Sequence, residues 1–279
     1  MTYGILLRKE WEDNSAKMIM DNMKSKVVVR RSGEQWPDGL KGVFRWGCTA
    51  NIPTDNVFNS ASAIHLAADK PKFRKVLVEK TTVAPITWFH DSSMKDLFDM
   101  SKHLPVVVRP NKHDRGKDFH VCATLDEVVA ATDKFPEYYI SKFYNKAREF
   151  RVMMVQKRVA FVVEKTPKNK TLNSWGLAAG WENILWGSWP LEVVKAATEA
   201  FKLSKLTFGA ADVILDTKGG IYVCEVNTAP ELPKEYEAVK IATCFDYIIN
   251  NDKKDLPVGG DGSNWKHYIH PSLSEKAIL

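Results

Sequence analysis

Two apolar runs, Phe208–Leu215 and Gly220–Val226, flank Asp216-Thr217-Lys218-Gly219, and this pairing constrains the chain more than any other part of it. Both runs suit pleated strands, and a link this short, with a glycine to supply positive φ, forces an antiparallel hairpin. Side chains alternate along a strand, so Asp212 on the first arm falls near Glu225 on the second, with Asn227 on the same side as Glu225. Three oxygen ligands then converge. Two carboxylates facing each other in an apolar sheet repel unless a cation joins them, and hard Mg²⁺, held by carboxylates together with nucleotide phosphates, suits such a set. The plainer alternative is a surface hairpin whose acids face water. Against it, Glu225 and Asn227 stand in an apolar run that ends in a proline-containing loop, Thr228-Ala229-Pro230.

The rest of the chain must be large enough to bury such a hairpin. At 279 residues it predicts two or three packed lobes. With 44% apolar and 27% charged residues, and nine tryptophans, it belongs with globular proteins and not with disordered or fibrous ones. No apolar run approaches the roughly 20 residues of a membrane span, and Arg8, Lys9 and Glu10 cut off the opening Gly4–Leu7, so neither a span nor a signal peptide is expected. Cys48, Cys122, Cys224 and Cys244 are far apart and form no Cys-x-x-Cys pair, which argues for a reducing cytoplasm and against a zinc site or disulfide framework. The histidines likewise show no metal-ligand spacing. The net charge of +6 is concentrated early: residues 1–80 hold 14 Lys+Arg against 9 Asp+Glu, the remainder 26 against 25. That excess suits an acidic substrate, a nucleic acid or an acidic protein tail, or is an ordinary solvated face.

Periodicity predicts an α/β chain in consecutive units. Residues 1–80 combine β-rich runs at Tyr3–Leu7, Lys26–Arg30 and Gly42–Arg45 with helices over Ser15–Met23 and Asn59–Ala68. Asp69 caps a further helix, with Pro71 in its first turn, where a missing N–H costs nothing. Thr81–Pro85 is the expected hinge into residues 81–144. These read as strand (Ile86–Phe89), helix (Ser92–His103), strand (Val106–Arg109), basic loop (Asn111–Lys117), strand (Phe119–Cys122), helix (Leu125–Lys134) and strand (Tyr138–Phe143). Residues 145–251 open with a hairpin, Glu149–Gln156 and Arg158–Glu164, followed by a polar stretch, Lys165–Gly187. A helix over Pro190–Lys202 places Leu191, Val194, Thr198 and Phe201 on one face, and a helix over Glu235–Asn250 follows the Asp212–Glu225 hairpin. Residues 252–279 show little periodicity and read as a tail or strap.

Glu225-Val226-Asn227, followed by a small residue and a proline and preceded by a hairpin bearing Asp212, resembles the magnesium-binding end of the ATP-grasp superfamily. The nearest likeness is to the ribosomal-protein glutamate ligases and related carboxylate–amine ligases. It runs from about Asp69 to Pro230, with residues 1–80 as the preceding lobe. The resemblance implies an ATP-grasp fold, in which a small N-terminal α/β lobe precedes two α+β lobes enclosing ATP. It implies Asp212, Glu225 and Asn227 as ligands of Mg²⁺. Arg109, in Pro105–Pro110, stands where a basic residue, usually Lys, reaches an ATP phosphate; Arg can grip phosphate bidentately, though an arginine closing a strand is also an ordinary surface charge. The loop Asn111–Lys117 departs from the family's glycine-rich one. It keeps one glycine and adds Lys112, His113, Arg115 and Lys117, so side-chain charge replaces backbone amides over the phosphates, or the loop is simply solvated. Lys142 and Phe143, in Tyr139–Tyr144, resemble the hinge whose backbone holds the adenine edge, with Lys142 where an acid is common. Glu149-Phe150-Arg151 resembles an acidic-x-Arg step that puts Glu149 near the ribose and Arg151 near the transferring phosphoryl group. Lys70 matches a second phosphate-contacting lysine, and Asn173 a further polar contact. Trp175, Trp181, Trp186 and Trp189 either line an acceptor pocket or pack beneath a long loop.

What the resemblance implies is ADP-forming ligation: a substrate carboxylate attacks the γ-phosphorus to give an acyl phosphate, and an amine or other nucleophile then displaces phosphate, with Arg151 stabilising the developing charge. The partners would be small-molecule or peptide carboxylates and amines, with no membrane. Two other readings stay open. An ATP-binding module without turnover is favoured by Arg109, Lys142 and the basic loop; a basic nucleic-acid-binding protein lacks the aromatic-interleaved strand it needs.

Overall fold

A strand, a helix and a parallel strand open the chain: β1 (Thr2–Leu7), α1 (Ser15–Asn22) and β2 (Val27–Arg31), a crossover that a tight hairpin cannot replace. With β3 (Leu40–Arg45) and β4 (Val57–Phe58) they form a four-stranded parallel sheet in the order β2-β1-β3-β4. The computed structural model describes residues 2–10, 14–112, 118–156, 158–166, 182–185 and 190–251, with Leu256. Lys117, Asn173, the four tryptophans between 175 and 189, and the tail apart from Leu256 lie outside the described residues. Helices α2 (Ala61–Ala68) and α3 (Lys70–Lys80) follow the sheet, each capped by its own residue: the Ser60 hydroxyl accepts from Ala63 N–H, and the Asp69 carboxylate from Lys72 N–H. Asn59, read as helical from sequence, instead takes φ 68° and precedes the cap.

The middle sheet is antiparallel, β5 (Thr87–Phe89), β8 (Tyr138–Lys142), β6 (Val106–Pro110) and β7 (His120–Cys122) in that spatial order. Helices α4 (Met94–Ser101) and α5 (Leu125–Thr132) each begin in a capping box, Ser93 with Asp96 and Thr124 with Glu127. They cover a core that includes Trp88, Met100, Val106, Val108, Val128 and Ile140.

The C-terminal sheet has the order β11-β10-β9-β12-β13, all antiparallel. Its strands are β9 (Lys146–Val155), β10 (Arg158–Thr166), β11 (Glu182–Leu185), β12 (Phe208–Asp216) and β13 (Ile221–Asn227), with α6 (Leu191–Ser204) and α7 (Glu235–Asn250). Two readings from sequence are corrected here. The stretch taken as polar loop from Lys165 contains the end of β10 and all of β11, so Lys165 is a strand residue. Leu191 remains 39% exposed because it is the first residue of α6, beyond the buried face that holds Val194, Thr198 and Phe201.

The sheet's two faces meet different partners. Phe150, Val152, Val162, Val213 and Val223 share a core with α6, α2 and α3. Met153, Phe161, Phe208 and Ala210 pack with α7, α1 and the N-terminal sheet, where Phe44 is stacked between Phe58 and Phe245 at 4.3 and 3.9 Å. All four cysteines are free, and among the described residues no helix is long and apolar enough to cross a membrane.

Candidate functional site

Register decides what gathers on the C-terminal sheet. Along one face of β9 stand Met153, Arg151 and Glu149; β12 sets Ala210, Asp212 and Ile214 against them. On β13, Asn227 lies opposite Ala210 and Glu225 opposite Asp212, while on β10 Val163 pairs with Arg151 and Lys165 with Glu149. The face is therefore apolar at its Phe161–Met153–Ala210 end and charged from Arg151 onward. Two local features keep it so. Asp212 opposes Glu225 and Val213 opposes Val223, which leaves Cys224 as the extra residue of a bulge. Val223 and Val226 thus both reach the α6 layer while Glu225 stays on the charged face. At Gly209, a Cβ would stand 2.6 Å from the Asn227 carbonyl oxygen, so glycine is what lets β12 close on the end of β13.

The charges form a chain of ion pairs from Arg151 to Lys146, with the Lys70–Glu225 pair beside it. Arg151 grips Asp212 through Nε and Nη2, both at 2.9 Å. Lys165 Nζ bridges Asp212 Oδ2 (2.7 Å) and Glu149 Oε1 (2.9 Å), and Lys146 Nζ donates to the other Glu149 oxygen at 2.8 Å. Lys70, from the first turn of α3, reaches Glu225 Oε2 at 2.8 Å. Arg151, Lys165, Glu149 and Asp212 are buried, whereas the Lys70–Glu225 pair is partly open to solvent. Four cations thus meet three carboxylates. The carboxylate repulsion expected from sequence is relieved here by Arg151, Lys165 and Lys70.

All three acids are held below the ordinary carboxylate range. Burial alone would raise each; Arg151 and Lys165 outweigh it at Asp212, Lys165 and Lys146 at Glu149, and Lys70 at Glu225. Acids depressed in the folded state bind fewer protons there than in the unfolded chain. Their stabilisation is complete above the unfolded value, about pH 4, and is lost as pH falls through the folded values. The melting temperature, followed by circular dichroism, is expected to hold across neutral pH and fall below about pH 4. The acid arm should be shallower in Asp212→Asn, and an arm of unchanged slope in that variant would refute this assignment.

The other residues named from sequence stand on the middle sheet. Arg109 is the penultimate residue of β6, its guanidinium 5.3 Å from the Phe119 ring, and among the described residues its buried Nε has no partner. Lys142 ends β8 and Phe143 follows it. Their N–H groups are already committed, to the carbonyls of Ile86 and Pro105. This is the backbone expected from the resemblance to hold the adenine edge. Among the described residues its carbonyls are what remain: the Ile86 N–H donates to the Tyr144 hydroxyl at 3.2 Å, and Pro105 has no N–H to offer Phe143. Burial raises the Tyr144 phenol to about 12, so it stays protonated.

The sequence reading missed Lys146 and Lys165. A signal for Lys165 existed: it continues the buried alternation Phe161, Val163 along β10. As donors, Asp212, Glu225 and Asn227 suit Mg²⁺ in kind. Among the described residues, however, no group of three or more His, Cys, Asp or Glu side chains is gathered to hold a metal, and the Asn227 oxygen accepts the Ala229 N–H at 3.0 Å. Lys70, Lys146, Arg151 and Lys165 are donors of the kind that bind phosphate oxygens.

No curated protein matches the chain. Among solved structures, it is similar to D-alanine–D-alanine ligase from Bacillus anthracis complexed with ATP, at 18% identity and TM-score 0.66 over 90% of this chain and 96% of that one. It is also similar to a Chryseobacterium gregarium RiPP-associated ATP-grasp ligase in complex with ADP and a leader and core peptide (14%, TM-score 0.63, 91% and 97%). A third is the macrocyclase MdnC of Microcystis aeruginosa MRC bound with precursor peptide MdnA (14%, TM-score 0.61, 90% and 100%). At these identities the likeness is one of fold. The model of the RimK-like ATP-grasp domain matches residues 67–248, roughly two thirds of the sequence, and the chain belongs to that family.

Proposed function

We propose that this protein uses Mg-ATP to activate a substrate carboxylate as an acyl phosphate and joins it to an amine, releasing ADP. The observation that carries this reading is the charged sheet face, where four cations converge on the three acids from which an oxygen-ligated metal would draw its carboxylates. Residues 81–144 and 145–251 would enclose the nucleotide, with 1–80 as the preceding lobe. The Lys142 carbonyl would accept from the base, and Lys70, Arg109, Arg151 and Lys165 would hold phosphate charge. Asp212, Glu225 and Asn227 would hold Mg²⁺, which when bound offsets the charge of the phosphates. Arg151, always charged, is placed to steady negative charge on the transferring group. The neighbouring structures include a ligase named for an amino acid and enzymes bound to peptides, and either kind of carboxylate and amine suits this reading. Four free cysteines suit a reducing cytoplasm.

A thermal melt with and without Mg-ATP tests the site. Nucleotide at a hundred times its dissociation constant should add about 2.7 kcal/mol to the wild type and much less to Glu225→Gln. If Mg-ATP shifts neither protein, the assignment fails. Stabilisation of the wild type without ADP release in the presence of carboxylate and amine pools would favour a binding module.

A further inference from the structure

Helix α3 sends a second cation to β13, one turn after Lys70. Residues spaced this way share a helix face, and both reach the same strand: Lys70 pairs with the Glu225 carboxylate, while Arg74 Nη2 donates to the carbonyl of Cys224, the bulge residue next to it. β13 is an edge strand, and beyond Cys224 its Val223 N–H is taken by the Val83 carbonyl. Arg74 is only 8% exposed. Among the described residues no acid pairs with it, and its Nη1 is buried without an acceptor. Buried charges are paired as a rule, so a guanidinium held by one neutral carbonyl lacks an anion. Its place in the fold says which anion fits. On one side of Cys224 stands Glu225, and on the other Tyr222, whose ring is 3.9 Å from that of Tyr144, just past Lys142 and Phe143. Arg74 thus occupies the stretch between the Lys142 carbonyl and Glu225. With the base at that carbonyl and the outer phosphates towards Glu225, the ribose and the α-phosphate fall between, and of these only the phosphate is an anion. We infer that the α-phosphate is the missing partner of Arg74, bound by Nη1 while Nη2 keeps the bulge closed.

The inference rests on the nucleotide reading above and adds one residue to it. The planar fork of arginine suits both tasks at once, since one nitrogen serves the carbonyl while the other serves the phosphate. Lysine at 74 keeps the charge but not the fork. A residue that acted only by bracing the bulge would weaken every nucleotide alike when removed, whichever oxygen of the α-phosphate had been altered. A residue whose Nη1 was served by water would behave in the same way.

The experiment is a calorimetric titration of the wild type, Arg74→Met and Arg74→Lys with ATP and with the two diastereomers of ATP that carry sulfur on the α-phosphorus, all with Mg²⁺ present. The diastereomers differ only in which non-bridging oxygen is replaced, and any preference of the metal for oxygen over sulfur is common to all three proteins. Arg74→Met is expected to bind ATP about tenfold more weakly, the worth of one charged hydrogen bond. The ratio of the two diastereomer affinities should change by roughly threefold or more, because the donor that tells the oxygens apart is gone. Arg74→Lys should weaken ATP less and shift the ratio in the same direction. A ratio unchanged in Arg74→Met overturns the contact, however far the affinity for ATP falls, as does an affinity for ATP equal to the wild type's. If circular dichroism shows that Arg74→Met does not fold, Arg74→Lys decides by the same ratio. Where the wild type binds ATP and the ratio does not move, only the Arg74 contact fails; where the wild type does not bind ATP, the nucleotide reading fails and the contact with it.

Discussion

Asp212→Ala is expected to lose about 3–5 kcal/mol of stability in urea unfolding, among the largest effects of any single substitution in the site. The change removes the acid that Arg151 and Lys165 share and leaves two buried cations, Lys165 still paired with Glu149 and Arg151 still donating to the Glu231 carbonyl at 3.4 Å. Glu225→Gln makes the comparison. Its side chain is 30% exposed and its partner Lys70 is 25% exposed, so water replaces much of what is lost and the cost should stay within about 1 kcal/mol. Both variants should lose the melting response to Mg-ATP, so stability and ligand response separate. Adding Arg151→Met to Asp212→Ala should recover part of the loss, because the stranded guanidinium goes with its partner. Equal costs for Asp212→Ala and Glu225→Gln would show that the buried ion-pair chain does not hold the sheet face together.

How much of this was legible in the sequence follows the distance between partners. The pairing of Asp212 with Glu225 was readable because a short turn fixes the register of β12 and β13, and Gly219, at φ 84°, supplies the conformation the turn needs. The bounds of α7, Glu235–Asn250, were readable because its apolar stripe runs unbroken. The grip of Arg151 on Asp212 was not. It depends on β9 lying beside β12, a pairing across some sixty residues that no local pattern specifies. Without it, the acids seemed to call for an external cation. Lys165 was hidden for a related reason: polar residues at the end of β10 look like the start of a loop until the neighbouring strand shows that the ladder continues. The fold class depends on the order of elements and survives such errors; the electrostatics of the site depend on registers between distant strands and do not.

Asn59 shows the same dependence in a single side chain, and replacing it is the second large effect expected. It sits fully buried between the end of β4 and the start of α2, at the point where the N-terminal sheet meets β12. Its Oδ1 accepts from the N–H groups of Thr207 (2.7 Å) and Phe208 (3.1 Å), and its Nδ2 donates to the Phe208 carbonyl at 2.9 Å. These bonds close the backbone where β12 begins, beside the stacked Trp46 and Phe208 rings, 5.5 Å apart. Asn59→Ala removes all three partners, and buried backbone groups left unmatched cost about 1–3 kcal/mol each, so a total of about 3–5 kcal/mol is expected in urea unfolding. Backbone strain adds to this, since φ 68° suits asparagine or glycine better than alanine. Asn59→Gly separates the two causes: it relieves the strain and still lacks the amide, so it should recover only about 1 kcal/mol of the alanine loss. Full recovery in the glycine variant would mean that backbone conformation, and not the hydrogen-bonded staple, is what position 59 supplies. If the staple does carry the effect, both variants should also be cleaved faster by protease near residues 59–60 and 205–207, because this is where the N-terminal sheet is tied to the strand that bears Asp212.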